Sequence, residues 1–366
     1  MKVPQMQPYI GLEEWEAIKE SFEINWINEG PKAKEFSERL CERIGVKHAV
    51  FAPNGTLALY LGLRAIGIQP GDEVIVPDFT FIASANAIEM IGAHPIFVDV
   101  NEDLQINIDA CESLITDKTK AIMPVHIFGM SAHMDKVLNF AQLHSIKVIE
   151  DSAQGLGVSW ESKPCGSFGD VGCFSFFADK IITSGGEGGL VTTNDSEVYD
   201  NLRYLRNQGR LDRGSFVHPE IGYNFRMTDV QCAVGLKQLE KLDYIIEKKT
   251  NIFKEYSERL SHIEEVEIIT PSSKHSTFVP FRIPLMVKHS KEELEKYMNK
   301  NDIETRSFFY PLHLQPCYKD SIQHTNHFPN ATHAYDHGLC LASFTELSIE
   351  QIGHTCSTIN NFYDNV

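Results

Sequence analysis

Between about residues 45 and 195 the chain alternates short apolar runs with stretches that repeat apolar residues at helical spacing. Two of these helical patterns cover residues 56–66 and 82–91. Continuous apolar strands separated by helices predict a mostly parallel sheet that is covered on both faces. The predicted strands are residues 48–52, 73–76, 95–98, 121–125 and 146–149.

The pattern changes in the second half of the chain. Residues 190–193 predict another strand, a charged helix follows as far as Arg206, and residues 231–249 predict one long helix. The remainder combines a strand-like run at 277–283 with a helix-like run at 291–299. These segments indicate a smaller unit of mixed helices and strands.

Together the two patterns predict an α/β protein of two domains. A three-layer large domain with a mostly parallel mixed sheet is expected to span residues 1–240, including the N-terminal segment. A small C-terminal α+β domain is expected to span residues 241–366, so that the boundary falls inside the predicted long helix. In open parallel sheets, ligands bind in the crevice at the carboxyl ends of the strands.

The charge balance limits the possible partners. The chain carries 50 Asp and Glu residues against 33 Lys and Arg residues, a formal net charge of −17. A surface of this sign repels nucleic acids and acidic membranes, so we expect neither as a partner. A single anionic ligand is still possible, provided that specific donors bind it.

Other features of the composition predict a cytoplasmic protein. Residues 1–15 include Glu13 and Glu14 and have no apolar run behind a basic start, unlike a secretory signal. No stretch approaches the ~20 apolar residues that span a bilayer. The eight cysteines form no CxxC pair and are expected to be reduced thiols.

The tripeptide Asn54-Gly55-Thr56 lies between a predicted strand and a predicted helix. Glycine allows the backbone to come close to a ligand, and the free amides at a helix start attract anions such as phosphate. An ordinary turn, with Thr56 as the helix N-cap, explains the same residues. Both interpretations stay open at this point.

A carboxylate follows the strand at 146–149. Asp151, in the run Glu150–Gln154, is expected at the carboxyl end of that strand, where it can pair with a cation. In enzymes that use pyridoxal 5′-phosphate (PLP), this cation is the pyridine nitrogen, which must stay protonated for the ring to accept electrons. Alternatively, Asp151 caps the segment that follows it.

The segment at 169–180 is the strongest chemical signal. An apolar run brings Ser175 and then Lys180 to the same region, and the glycines of residues 185–189 allow a tight turn close by. A lysine in an apolar pocket shifts toward its neutral, nucleophilic form. Phe81 follows another strand and offers an aromatic face for a planar ring, although core packing is the usual role of a phenylalanine.

Other catalytic and binding templates are absent from the sequence. It contains no GxxxxGK[ST] loop, no GxGxxG turn after a strand and no GxSxG elbow. It also contains no HExxH motif and no paired Cys/His set, so we expect no metal site.

Four motifs in this order and spacing resemble those of the DegT/StrS family of sugar aminotransferases. The resemblance extends from residues 26–31 to residues 310–313, nearly the whole chain. It implies the aspartate-aminotransferase fold, which is PLP fold type I. The motifs are Asn-Gly-Thr at 54–56, Glu-Asp-x-Ala-Gln at 150–154, Gly-Asp-x-Gly-x-Phe-Ser-Phe-x-x-x-Lys at 169–180 and Gly-Glu-Gly-Gly at 186–189.

The resemblance also implies roles for individual residues. Lys180 corresponds to the catalytic lysine that binds PLP as a Schiff base and carries the proton between carbon atoms. Asp151 corresponds to the partner of the pyridine nitrogen, and Gln154 to the donor to the phenolic oxygen of the ring. Ser175, together with the turn at Gly55 and Thr56, corresponds to the phosphate-binding cup.

Two further roles follow from the same resemblance. Phe81 corresponds to the aromatic residue that stacks on the cofactor ring. Asn224 corresponds to an asparagine that reaches the phosphate from the neighbouring subunit, which implies a homodimer with shared active sites.

Within the family, residues 124–129 and 176–189 look most like perosamine-synthase-type enzymes. Those enzymes use L-glutamate to aminate C4 of a GDP-linked 4-keto-6-deoxy sugar for surface polysaccharides such as the O-antigen of lipopolysaccharide. The residues directly before the lysine, Ala178-Asp179, differ from the Gly-Asn that is usual in that group. This variant resembles the enzyme that forms 8-amino-8-deoxy-Kdo from an oxidised Kdo.

Three alternative functions stay open, and several further residues are candidate substrate contacts. An 8-amino-Kdo-forming aminotransferase, a PLP-dependent sugar dehydratase and a non-catalytic PLP-binding regulator remain possible. The dehydratases replace the catalytic lysine with histidine, which Lys180 argues against. His313 is a candidate sugar contact. The candidate clamps for carboxylate or phosphate are Arg206, Arg210, Arg213, Arg226 and Arg306.

Overall fold

The computed structural model of the chain describes residues 1–210, 216–319 and 327–364. Its strands are β1 (His48–Ala52), β2 (Glu73–Pro77), β3 (His94–Val98), β4 (Thr119–Ile122), β5 (Lys147–Asp151), β6 (Ser159–Trp160), β7 (Lys163–Pro164), β8 (Val171–Ser175), β9 (Gly189–Thr193), β10 (Val266–Ile268), β11 (Ile283–Val287), β12 (Arg306–Ser307) and β13 (Gly338–Leu341).

Helices separate most of these strands. They are α1 (Leu12–Glu23), α2 (Pro31–Ile44), α3 (Gly55–Ala65), α4 (Ala83–Glu89), α5 (Ile108–Cys111), α6 (Met134–His144), α7 (Ser196–Leu205), α8 (Asp229–Glu240), α9 (Leu242–Leu260), α10 (Lys291–Lys300), α11 (Pro329–His337) and α12 (Ile349–Asp364). No helix in the described ranges is both long and apolar enough to cross a membrane.

A seven-stranded sheet organises the first two thirds of the chain. Its strand order is β1-β9-β8-β5-β4-β2-β3, and the pairs from β8 to β3 are parallel, whereas β9 runs antiparallel to both β8 and β1. The predicted α/β class with a mostly parallel mixed sheet is confirmed.

Alternate residues of each strand are buried on opposite faces of this sheet. In β1, Val50 packs into the cluster that α3, α4 and α7 cover, whereas Phe51 packs into the cluster under α2 and α8. In β5, Ile149 packs into the cluster with α3 on one face, and Val148 packs into the cluster with α6 on the other. Because both faces are covered by helices, the strands are apolar throughout and the large body has three layers.

The last part of the chain forms a second sheet. Its order is β10-β11-β13-β12, all neighbours are antiparallel, and α9, α10 and α12 cover it. The N-terminal segment joins this unit, because Val3 pairs with Ile303 in a parallel bridge. The division into domains at residues 240 and 241 remains our proposal.

Two predicted elements differ from the structure. The single helix predicted at 231–249 is two helices, because the backbone turns at Lys241, whose amine bonds to Glu13 and Glu14 of α1. Apolar spacing continues through the turn, so the sequence pattern does not reveal it. The strand predicted at 277–283 begins only at Ile283, since the preceding residues form isolated bridges to the large body.

Candidate active site

Three connections of the large sheet meet at the carboxyl ends of its parallel strands. The β1–α3 connection brings Gly55 and Thr56, the end of β5 brings Asp151, and the end of β8 brings Ser175. Lys180 follows on the loop between β8 and β9.

The start of α3 and the end of β8 form a narrow cradle. A Cβ atom added to Gly55 would lie 2.8 Å from the Cβ of Ser175 and 3.2 Å from its hydroxyl oxygen, so any larger residue would fill the space. Asn54, and not Thr56, is the N-cap, because its Oδ1 accepts from the Leu57 amide at 3.0 Å. Within the described residues, the amides of Gly55 and Thr56 donate to no protein acceptor. They are therefore available to an anion.

Asp151 is buried at the centre of the site. Its carboxylate accepts a hydrogen bond from the Ser84 hydroxyl at 2.7 Å and one from the Ala153 amide at 3.1 Å. Only 5% of Asp151 is exposed. Ser84 lies on α4, and sequence reasoning missed it because the strand and the helix are 67 residues apart.

Gln154 has a defined orientation. Its side-chain oxygen accepts from the backbone amide of Phe128 at 2.7 Å. This bond occupies the carbonyl end of the side chain, so the NH₂ group is the end left to donate. The geometry suits a donor to an oxygen atom of a bound ring.

Lys180 lies in an apolar and electrically mixed environment. Its amide donates to the Phe177 carbonyl at 3.0 Å, and its Nζ lies 4.8 Å from the centre of the Phe281 ring. Burial is the main cause that lowers the pKa of the Lys180 amine, and the carboxylates of Asp179 and Asp151 act in the opposite direction. A lowered pKa makes the neutral, nucleophilic amine more abundant near neutral pH.

The residue before the lysine belongs to an ion-pair network that sequence reasoning did not find. Asp179 accepts from the guanidinium groups of Arg282 and Arg306, and the Arg306 contact is 3.2 Å long. One signal of this network is visible in the sequence: Ala178-Asp179 stands where perosamine-synthase-type enzymes usually have Gly-Asn.

Phe81 is largely exposed, with 56% of its surface accessible, so the core-packing interpretation does not hold for it. Its ring centre lies 6.1 Å from that of Phe309. Phe79, two residues earlier, is the one that is fully buried.

Asn224 is not joined to the rest of the site within one chain. It is exposed and forms a backbone bridge with Asn207, while Tyr223 beside it stacks on Phe225. Among the described residues, no hydrogen bond connects Asn224 with Ser175 or Lys180.

Most of the candidate arginine clamps have partners inside the chain. Arg206 pairs with Glu29 at 2.6 Å, and both Arg210 and Arg226 donate to Asn207. Arg306 pairs with Asp179, as described above. Arg213 lies outside the described residues.

His313 is oriented by a buried carboxylate. The Asp78 carboxylate accepts from the His313 amide at 2.7 Å and contacts Nδ1 of its ring at 2.6 Å. Burial raises the pKa of Asp78, and the bonds to His313 oppose this rise. The ring also stacks on Phe328, with 4.5 Å between centres. No group of three His, Cys, Asp or Glu residues suited to a metal ion occurs in the described ranges.

The donor set fits PLP. The cradle at Gly55 and Ser175 offers free amides and a hydroxyl group for the phosphate, Asp151 offers a buried carboxylate for the pyridine nitrogen, and Lys180 offers an amine of lowered pKa. When bound, PLP supplies an electron sink that makes the proton on the carbon bearing the amino group removable.

Comparisons with known proteins agree with this chemistry. The profile of the DegT/DnrJ/EryC1/StrS aminotransferase family matches residues 8–360. The GDP-perosamine synthase of Escherichia coli O157:H7 is 39% identical, across 99% of this chain and 98% of that protein. The UDP-N-acetyl-3-dehydro-alpha-D-glucosamine 3-aminotransferase of Acidithiobacillus ferrooxidans is 37% identical, across 86% of this chain and 84% of that protein.

A solved structure extends the likeness to the whole fold. The PLP-form of Spr1654 from Streptococcus pneumoniae is 25% identical and superposes with a TM-score of 0.94, across 100% of this chain and 99% of that one. The chain therefore belongs to the DegT/DnrJ/EryC1/StrS family and is a PLP-dependent sugar aminotransferase.

Proposed function

We propose that this enzyme transfers the amino group of L-glutamate to C4 of a GDP-linked 4-keto-6-deoxy sugar, with Lys180 as the catalytic lysine. One observation carries the proposal: the amine of Lys180, whose pKa burial lowers, lies close enough to Asp151 to be influenced by its carboxylate, and the cradle at Gly55 and Ser175 lies at the end of the neighbouring strand. The resulting amino sugar is proposed to serve surface polysaccharide synthesis.

Each residue has a defined task in this proposal. The amides of Gly55 and Thr56 and the Ser175 hydroxyl bind the phosphate, and the Asp151 carboxylate keeps the pyridine nitrogen protonated. Ser84 orients that carboxylate through its 2.7 Å hydrogen bond.

Three more groups position the ring and move the proton. The Gln154 NH₂ group binds the phenolic oxygen, and Phe81 covers one face of the ring. The Nζ of Lys180 takes a proton from the α-carbon of glutamate and later delivers one to the sugar carbon, which requires the neutral amine that burial favours.

The acceptor is proposed from the relatives. Identity of 39% across nearly the full length of a GDP-perosamine synthase supports the 4-keto sugar. A relative at 37% identity acts at position 3 of a UDP-sugar, so a 3-keto sugar belongs in the test. Oxidised Kdo belongs there as well, because Ala178-Asp179 replaces the Gly-Asn usual in perosamine synthases.

We also propose that the enzyme is a homodimer in which Asn224 completes the partner's site. Asn224 is exposed, and large apolar side chains are exposed along residues 12–27 and 216–221. Leu12, at 81% exposure, is typical of them. Exposed apolar surface of this extent indicates an interface between proteins. The set is Leu12, Trp15, Phe22, Ile24, Trp26, Ile27, Phe216, Val217 and Ile221.

We also propose that the enzyme is cytoplasmic. The eight cysteines are free thiols, and thiols persist in reducing compartments.

A spectroscopic experiment tests the proposed function. The purified protein is loaded with PLP, its absorption spectrum is recorded, and L-glutamate is added without an acceptor. We expect the visible band of bound PLP to disappear as the pyridoxamine form accumulates. Lys180→Ala should abolish this change, and Lys163→Ala should preserve it, since Lys163 also has its amine over a phenyl ring but lies outside the site.

A panel of keto-sugars then identifies the acceptor. The GDP-linked 4-keto-6-deoxy sugar should restore the original band faster than a UDP-linked 3-keto sugar or oxidised Kdo. Faster recovery with either of the others would overturn the proposed acceptor. A protein that binds PLP but ignores glutamate would contradict the proposed donor and favour a non-catalytic regulator or another reaction.

A further inference from the structure

One carboxylate oxygen connects the Lys180 turn to the second sheet. Oδ2 of Asp179 accepts from Nη2 of Arg282 and also from Nη1 of Arg306, at 3.2 Å in the second case. Arg282 directly precedes β11, and Arg306 is the first residue of β12. The turn that carries the lysine is therefore tied to two separate segments of the other unit, on either side of β13.

The inner half of this network is buried. The side chains of Asp179 and Arg282 are 9% and 4% exposed. Arg282 also donates to the side-chain oxygen of Gln5 at 3.0 Å, and its guanidinium lies 4.7 Å from the centre of the Phe281 ring. The Nζ of Lys180 lies 4.8 Å from the centre of that same ring. Charges in such a setting influence one another strongly, because little water screens them.

Two carboxylates and two guanidinium groups surround the amine of Lys180, and the Asp179 carboxylate is needed for their charges to balance. The anions that face the amine are Asp179, from its own turn, and Asp151, from β5. The cations that face it are Arg282 and Arg306, from the second sheet. Without Asp179, the two guanidinium groups would act on the amine with only one carboxylate opposed to them.

A further buried lysine lies behind this group. Lys249, on α9, donates to the carbonyl of Ser343 at 2.6 Å and is influenced by both Arg282 and Asp179. Asp179 is thus the carboxylate shared by the lysines and arginines at the junction between the two sheets.

We propose that Asp179 is a positioning residue for Lys180. Its paired contacts with Arg282 and Arg306 hold the lysine turn against the second sheet and balance the two guanidinium charges beside the amine. The inference rests on the proposed role of Lys180 and explains why this chain has an acidic residue directly before that lysine.

The test measures the proton affinity of the Lys180 amine directly. In the PLP-free protein, trace acetylation with acetic anhydride is followed across pH, and the extent of labelling at Lys180 is read by mass spectrometry. Asp179→Asn should lower the pH midpoint by about 1 unit, since it removes an anion and leaves two cations unbalanced. Arg306→Gln should raise the midpoint, since it removes a cation.

Two further variants separate the effect of charge from damage to the fold. Asp179→Glu keeps the charge and should leave the midpoint near that of the unmodified protein. Asp243→Asn removes the carboxylate of an aspartate–arginine pair on the surface, with Arg43, and should change nothing at Lys180. Should Asp179→Asn fail to fold, Arg306→Gln and Asp179→Glu decide the matter, because Arg306 is half-exposed.

Opposite shifts in Asp179→Asn and Arg306→Gln support the proposal. Midpoints that stay unchanged, or that move in the same direction, overturn it, because a purely structural role predicts no dependence on the sign of the charge. The holoenzyme provides an independent check: a PLP band that L-glutamate still converts in Lys180→Ala would overturn the proposed role of Lys180. The acetylation profile of the PLP-free protein would still report on the link to Asp179.

Discussion

The Ser84 hydroxyl donates to the Asp151 carboxylate across 2.7 Å, and neither side chain is appreciably exposed. The bond connects α4 with the end of β5. It also orients the carboxylate that we propose to bind the pyridine nitrogen. A buried bond to a charged group of this kind contributes about 1.5–3 kcal/mol.

We therefore expect Ser84→Ala to weaken PLP binding about tenfold, equivalent to about 1.4 kcal/mol, and to lower the free energy of unfolding. Titration of the PLP-free protein with PLP measures the first effect, and urea unfolding measures the second. Ser113→Ala is the control, since Ser113 makes an exposed bond to a backbone carbonyl. Unchanged PLP affinity in Ser84→Ala would contradict the role given to this hydroxyl.

The cradle at Gly55 predicts that a larger residue at this position weakens binding of the phosphate group specifically. In Gly55→Ala the new methyl group would lie 2.8 Å from the Cβ of Ser175, so the end of β8 and the start of α3 must separate. We expect the affinity for PLP to fall about tenfold or more, with little change in the affinity for pyridoxal, which lacks the phosphate. Isothermal titration calorimetry with PLP and with pyridoxal measures the two affinities separately.

Gly353→Ala is the matched control for this variant. In α12 the added methyl group would meet only Nη1 of Arg259, at 3.5 Å. Ala is favoured over Gly in a helix by about 0.8–1.0 kcal/mol, so this variant should be as stable as the parent or more stable. Equal losses of pyridoxal and PLP binding in Gly55→Ala would show general damage and contradict a phosphate cradle.

The exposed position of Asn224 predicts complementation between subunits. Lys180→Ala and Asn224→Asp should each be inactive, the latter because a carboxylate repels the phosphate. In a mixed dimer, the intact Lys180 of one subunit meets the intact Asn224 of the other. A 1:1 mixture that exchanges freely should recover about a quarter of the original activity, since half of the dimers would have one complete site of two.

Ser175→Asp provides the control for this experiment, because Ser175 is proposed to serve the lysine of its own chain. A mixture of Lys180→Ala with Ser175→Asp should stay inactive. Recovery in both mixtures, or in neither, would contradict an active site that is shared in the proposed way.

Lys249 predicts a particular dependence of stability on pH. Burial lowers its pKa from 10.5 to about 7, Arg282 adds to this effect, and Asp179 opposes it. Between pH 7 and the pKa of the unfolded chain, the unfolded state therefore binds one more proton than the folded state. The free energy of unfolding should rise with pH in this window, by up to about 1.4 kcal/mol per unit from this group.

Lys249→Met removes this contribution. The difference in unfolding free energy between the parent protein and Lys249→Met should grow in favour of the parent as pH rises from 7 to 9, measured by urea unfolding. Lys248→Met, at the exposed neighbouring position, should give a difference that is constant with pH. A constant difference for Lys249→Met would show that this lysine is charged in the folded protein.

Local sequence patterns were sufficient for the large sheet. The apolar runs at 48–52, 73–76 and 95–98 became β1, β2 and β3, because a strand covered on both faces must be apolar along its length. The turn at Lys241 was not predictable in this way. The apolar spacing of α8 and α9 continues across it, and the ion pairs of Lys241 with Glu13 and Glu14 come from a distant helix.

The chain's own residues also determined most of the proposed cofactor site. Gly55 begins a helix, Asp151 and Ser175 each end a strand, and Lys180 follows one. The carboxyl ends of neighbouring strands in a parallel sheet necessarily meet. The partners of these residues were decided by the tertiary structure alone. Ser84 reaches Asp151, and Arg282 reaches Asp179, across 67 and 103 positions of sequence. Local patterns carry no record of such pairs, because they form only when separate elements pack together and exclude the water that would otherwise satisfy them.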